Sequence, residues 1–227
     1  MKTSRVSLVS KPESPPEALR NRVVVAARES FLRSGFVRVT MDEIAAELRT
    51  SKATLYKLFA SKEDLLRAVI QGYMEELSAA VEEIIGDRTL GFIEKLAALS
   101  FLMGRRLSEM GPLLARDIRQ AAPRLWQDIE TFRRDKILAN FQRLIEDGRR
   151  EGVFRDDVDP ELAVHIYVLL VDELLNPEAI LRLGRPIGEI FRTAIEVYFQ
   201  GMLTERGRRD FAAKAPEVFA PRKENIR

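Results

Sequence analysis

The chain has 227 residues, 46% of them hydrophobic and 32% charged, with a formal net charge of +2. That balance excludes a disordered or bilayer-embedded chain and leaves room for one large domain or two small ones. No apolar run approaches the roughly 20 residues a spanning helix needs, and the lack of cysteine removes disulfides, thiolate chemistry and cysteine-held zinc.

The charge is unevenly placed. Residues 1–60 carry 11 Lys and Arg against 6 Asp and Glu, whereas residues 61–227 carry 26 against 29. A basic N-terminal quarter on a mildly acidic remainder suits an end that faces a polyanion. Residues 1–16 are rich in Ser, Pro and Lys, lack the apolar centre of a secretion signal, and read as a disordered tail. Lys2, Arg5 and Lys11 in that tail fit a dispensable segment better than an arm in a minor groove. A cytoplasmic location is expected, with no membrane partner.

From residue 16 onward the chain reads as helix after helix. Leu19, Val23, Ala26, Ala27 and Phe31 recur at i, i+4, i+7, i+8 and i+12, an amphipathic stripe that Gly35 ends. A short helix over 41–48 opens on a capping box, Thr40 with Glu43, and Val39 can staple against Ile44. Another covers 52–59 with Ser51 as its N-cap, and Ser61 with Asp64 starts a longer helix ending near Gly86. Further helices are expected over 90–110, 112–120 and 123–147, set off by Gly and Pro. Gly148 and Gly152 flank a connector, Asp159 and Pro160 open a helix that stops before Pro177, and a last helix runs over 186–203. The arginines of "GRRE" at 148–151 and "ERGRRD" at 205–210 read as solvated helix ends. No alternating strand appears, so the fold class is all-α.

The two short helices at 41–48 and 52–59 fit a helix-turn-helix, whose second helix enters the major groove N-terminus first. Small side chains at Ser51, Ala53 and Thr54 permit close approach to base edges. Lys52 and Lys57 reach phosphate or base acceptors, and Tyr56 donates to phosphate. Thr40 and Lys62 stand at two other helix N-termini, where phosphate is favoured. Ile44, Leu48, Leu55, Phe59 and Leu65 supply the small core beneath.

The run "VTMDEIAAELRTSKATLYKLFASKEDLLRAV", with "ARESFLRSGF" before it, strongly resembles the DNA-binding domain of tetracycline-repressor (TetR) family regulators over about residues 19–69. The resemblance implies a homodimeric regulator with a three-helix DNA-binding head and a divergent helical body that binds a small molecule. On that pattern the head spans 17–62, the ligand-binding and dimerisation body 63–210 with a linking helix at 63–85, and a tail 211–227. Two departures stand out. Arg49 and Thr50 replace a common Gly-Val in the turn, and Ala53 replaces a frequent Gly. An arginine held at positive φ costs roughly 1 kcal/mol, and Thr50 adds a hydroxyl able to face phosphate.

The body is less marked. The helix after Pro160 is apolar nearly all round and the one over 186–203 carries a wide apolar stripe, so Leu162, His165, Leu169, Ile187, Phe191, Ile195 and Tyr198 are expected at a dimer interface. Pocket candidates are Phe101, Trp126, Ile166, Tyr167 and Leu170, with Phe92, Leu96, Met103 and Phe132 also in view and Arg116, Asp117 or His165 as polar handles. No cofactor or metal is expected, since His165 with Asp172 is a poor metal pair beside no cysteine and no second histidine. The leading reading is a DNA-binding regulator, a repressor that leaves a palindromic operator when a small hydrophobic effector binds. The alternative is a DNA- or partner-binding helical protein with no small-molecule ligand. An enzyme using His165 with Asp172 or Glu173 lacks any nucleophile motif or phosphate-binding glycine loop.

Overall fold

The computed structural model describes residues 14–174, Asn176 and 182–218, and among these it forms nine helices and no strand. They are α1 (Pro15–Ser34), α2 (Met41–Glu47), α3 (Lys52–Leu58), α4 (Lys62–Gly86), α5 (Phe92–Ala121), α6 (Pro123–Arg150), α7 (Pro160–Leu174), α8 (Ile187–Met202) and α9 (Glu205–Val218). The all-α expectation is met. No helix among the described residues is long and apolar enough to cross a membrane.

Helix starts follow local chemistry. Ser14 caps α1 through its N–H to Glu17 at 3.0 Å, and Pro15 and Pro16 occupy the first turn, where a missing N–H costs nothing. The helix therefore begins inside the stretch expected to be a tail; residues 1–13 and 219–227 lie outside the described residues. Ser51 and Ser61 accept the backbone N–H of Thr54 and Asp64, each at 3.0 Å.

Apolar packing divides into two clusters. The head cluster joins Val23, Ala27 and Phe31 of α1 to Ile44, Leu55, Phe59, Leu65 and Leu66, and takes in Leu114, Ile118, Ala122 and Leu125 from the α5–α6 corner. Packing thus crosses the expected division at 62 and 63. The body cluster gathers Phe92, Leu96, Phe141, Ile145, Phe154, Phe191, Phe199 and Leu203.

Two expectations are corrected. The proposed break between 110 and 112 is absent, and α5 runs unbroken through Gly111 and Pro112. An internal proline costs about 3 kcal/mol, which is offset because Phe92, Ile93 and Leu96 are seated in the body core while Leu114 and Ile118 are seated in the head core. The second correction is α9, which turns residues read as a solvated end and a tail into a packed helix. Thr204 caps it, accepting the Gly207 N–H at 3.0 Å, and Phe211 is buried in the body core. Gly207 permits this docking, since a Cβ there would stand 2.5 Å from the Val153 carbonyl oxygen. Arg149 is likewise more than a solvated end: it donates to the carbonyls of Asp156 and Val158 and pins the connector.

Phe211→Ala should lower the unfolding free energy by about 3–5 kcal/mol, read from urea titrations. A loss below about 1 kcal/mol would mean that α9 is not integral to the body.

Candidate nucleic-acid interface and body cavity

The α2–α3 turn is closed by a Schellman motif. Thr50 N–H donates to Ala45 O at 2.9 Å and Arg49 N–H to Ala46 O at 3.1 Å. The geometry demands a left-handed residue, and Arg49 supplies it at φ 51°. Beyond the turn, α3 buries Leu55 and half-buries Thr54 and Leu58, while Ser51, Lys52, Ala53, Tyr56 and Lys57 face outward. This is a seven-residue helix with one polar face, set on the head core by its other face.

The individual candidates differ in how free they are. Thr40 is exposed, and its hydroxyl and N–H are engaged with Glu43 at 3.0 and 2.8 Å; these bonds hold the Glu43 carboxyl below its usual range. Thr50 is half-buried with its N–H used in the turn. Lys52 forms an exposed ion pair with Asp42 at 2.8 Å, a contact weak enough in water to be exchanged for another anion. Lys57 forms no ion pair or side-chain hydrogen bond among the described residues, and the same holds for the exposed Arg38 and Arg49. Those two arginines were not placed by the sequence reading, although the cation in a turn that commonly holds glycine was a signal.

Lys62 departs from expectation. Its ammonium donates to the carbonyls of Phe36, Val37 and Val39 at 3.0, 3.3 and 2.9 Å and lies 4.4 Å from the centre of the Phe36 ring. Three carbonyls use all three donors of an ammonium, so Lys62 fastens the α1–α2 link and has no donor left for phosphate. Desolvation lowers its pKa, against the opposing pull of Asp117 and Glu43.

A cavity of about 200 Å³ lies in the body between α4, α5, α6, α7 and α8. Its wall includes Tyr73, Leu77, Met103, Phe132, Phe141, Tyr167 and Phe191, with Arg106, Arg133, Lys136 and Asn140 as its strongly polar groups. Tyr167 stacks on Phe141 at 4.2 Å between ring centres, and burial pushes its phenol pKa up. Of Phe101, Arg116, Asp117, Trp126, Ile166, Tyr167 and Leu170, expected at a pocket, Tyr167 lines the cavity and the others do not. Phe101 and Ile166 are exposed, and Leu170 packs against the body core. Trp126 packs against the head core and donates Nε1–H to Glu130 at 2.7 Å. Asp117 is buried but accepts Val37 N–H at 3.1 Å, and Arg116 sits beside it, so both belong to the head–body junction. Leu96, Met103 and Phe132, also in view from the sequence, line the cavity; Phe92 belongs to the core.

The interface candidates also separate. Leu162 and Leu169 are 59% and 68% exposed, and with His165 and Ile166 they form an outward stripe on α7; Val197 of α8 is 69% exposed. Ile187, Phe191 and Ile195 are instead buried within their own protomer, because the apolar stripe of α8 is turned inward onto α5 and α7. Tyr198 is half-buried and donates to Ala163 O at 2.6 Å. His165 donates Nδ1–H to Glu161 O, while Asp172 is paired with Arg133 at 2.6 Å. Among the described residues no three or more His, Cys, Asp or Glu gather to hold a metal ion.

Residues 23–69 match the family model described as bacterial regulatory proteins, tetR family. The HTH-type transcriptional regulator YvaF of Bacillus subtilis is 27% identical over 189 residues, covering 81% of this chain and 95% of that protein. Among solved structures, a TetR transcription regulator from Haloarcula marismortui superposes with a TM-score of 0.64 at 20% identity, over 82% of this chain and 99% of that one. The regulator FadR from Bacillus subtilis in complex with stearoyl-CoA gives 0.61 at 20% identity, over 80% and 98%.

The geometry of Lys62 has a measurable consequence. Lys62→Met should cost about 1 kcal/mol of stability, because partly buried carbonyls lose their donor, and should leave the salt dependence of DNA binding unchanged. A shallower log K against log[salt] slope in that variant would restore a phosphate role.

Proposed function

We propose that this chain is a transcriptional regulator of the TetR family that binds a palindromic operator as a homodimer in the cytoplasm and represses transcription until a small hydrophobic effector releases it. Residues 17–62 serve as the reading head and residues 63–210 as the effector-binding and dimerising body. The observation that carries this reading is the pairing of a polar, outward α3 with an apolar cavity along α4, the helix that joins the two.

In this reading Ser51, Ala53 and Thr54 bring the tip of α3 to the base edges, while Lys52, Tyr56 and Lys57 contact bases and phosphates. Thr40 and Thr50 flank that surface, and Arg38 and Arg49 add charge to phosphates on either side. One α3 reads only a few base pairs, so two heads are required, spaced to successive major grooves about 34 Å apart or a multiple of it. The exposed stripe of Leu162, Ile166 and Leu169 on α7, with Val197 of α8, is the apolar surface offered to a second copy. A hydrophobic effector suits a wall made mostly of aliphatic and aromatic side chains, and a protein of similar fold is known with stearoyl-CoA bound.

The dimer is tested by Leu169→Arg, which places an unpaired charge on the proposed seam. Sedimentation should shift from dimer to monomer and operator affinity should fall at least about tenfold, while the helical signal is kept. A variant still dimeric and still binding would remove this stripe from the interface. The operator reading fails if DNA from beside the protein's own reading frame binds no better than random DNA at equal salt.

A further inference from the structure

The cavity wall carries three cations, Arg106, Arg133 and Lys136, and no carboxylate. The Nε atoms of Arg106 and Arg133 are both buried and meet no hydrogen-bond acceptor. Native structures rarely leave such donors orphaned, because burial removes water without replacing it. One Nη of each guanidinium is engaged: Arg133 Nη2 donates to Asp172 at 2.6 Å, and Arg106 Nη1 lies 3.5 Å from Glu109 and 3.8 Å from Glu76. Both arginines are thus anchored by acids while their Nε donors stay unmatched.

We propose that the cavity takes an apolar monocarboxylate, an amphiphile whose carboxylate accepts from Arg106 and Arg133, and that Arg106 relays its arrival to the head through Glu76 and Arg28. A carboxylate matches the two orphaned donors, and the aliphatic and aromatic wall takes the apolar chain. A phosphate dianion would bring more acceptors than the two orphaned Nε–H groups can satisfy. The proposal rests on the cavity being the effector site and adds the chemical class of the effector and its route to the DNA.

The route is a compact cluster. Arg28, on helix α1 of the head, donates twice to Glu76 of α4, at 3.0 and 2.9 Å. Arg28 and Arg106 both stand over the Tyr73 ring, 5.1 and 5.4 Å from its centre, and Tyr73 OH donates to Arg106 O at 2.9 Å. Glu76 therefore draws one guanidinium from the head and one from the cavity wall. A ligand carboxylate that draws Arg106 inward weakens its hold on Glu76 and alters the clamp on α1. Such a ligand biases the head because it interacts differently with the two arrangements.

Octanoate and octan-1-ol, alike in chain and different in head group, test the assignment. By calorimetry on the DNA-free protein, octanoate should bind about tenfold tighter than octanol, the factor expected of one good charge-assisted hydrogen bond. Arg106→Met and Arg133→Met should each reduce that preference while octanol still binds, which shows that the cavity is intact. Equal binding of the two probes to the native protein, or an undiminished preference in both variants, would overturn the ligand class. Glu76→Gln should bind octanoate at least as tightly as the native protein, yet its DNA affinity should no longer respond to octanoate; a native-sized response would overturn the relay. Because calorimetry needs no DNA, a carboxylate preference in a protein that binds no operator would sink the regulatory reading and leave the ligand class standing.

Discussion

The head is held to the body by the six residues between α1 and α2. Gly35 takes φ 78°, which turns the chain so that Phe36, Val37 and Val39 present their carbonyls to the Lys62 ammonium. Asp117, reaching from α5, accepts the Val37 N–H on the same segment. A side chain at Gly35 would bring its Cβ within 2.6 Å of that carboxylate, so the approach itself requires glycine. One short link is therefore fixed from α4 and α5 together, by polar bonds in partly buried surroundings where each lost partner is costly. Neither helix can shift without moving the start of α2, and with it the turn that aims α3.

That constraint gives the long α4 its importance. Its first turns bury Leu65, Leu66 and Val69 in the head core, and its later turns present Tyr73, Leu77 and Val81 to the cavity. At about 1.5 Å per residue, a rigid rod carries a small displacement at the cavity into the head without any intervening flexible link. The α5–α6 corner adds a second connection, since Leu114, Ile118 and Leu125 are built into the same head core. A body of this kind needs no hinge to influence its head; it needs two packings of α4 that differ in free energy by an amount a ligand can supply.

The legible parts were those set by neighbours in sequence. Capping by Thr40, Ser51 and Ser61, the Gly35 stop and the apolar spacing of α1 all act over a single turn, so the head could be laid out residue by residue. The body depends on which faces of five helices meet, and no local pattern reports that. Phe101, Ile166 and Trp126 had suitable chemistry but sit on the wrong faces, whereas Arg106 and Arg133, which no local pattern singles out, lie on the cavity wall. Phe191 and Ile195 form a regular stripe, yet a stripe does not say whether it meets its own core or a second subunit. The persistence of α5 through Pro112 and the docking of α9 have the same origin: long-range packing outweighed a local stop signal and a polar composition.

Arg49 shows the head trading local ease for charge. A left-handed position favours glycine, and an arginine there carries roughly 1 kcal/mol of strain, which the two Schellman hydrogen bonds of the turn help to hold in place. Glycine would relax the backbone but remove a cation from the tip of the head. Asp42 pairs with Lys52, and Arg49 forms no ion pair among the described residues, so it adds a positive charge to the turn. Thr50 and Ala53 alter the same surface without disturbing its support, because Leu55 and Phe59 bury the opposite side of the motif. Arg49 and Ala53 thus lie on the exposed face and Thr50 at its edge, while Leu55 and Phe59 hold the motif from beneath.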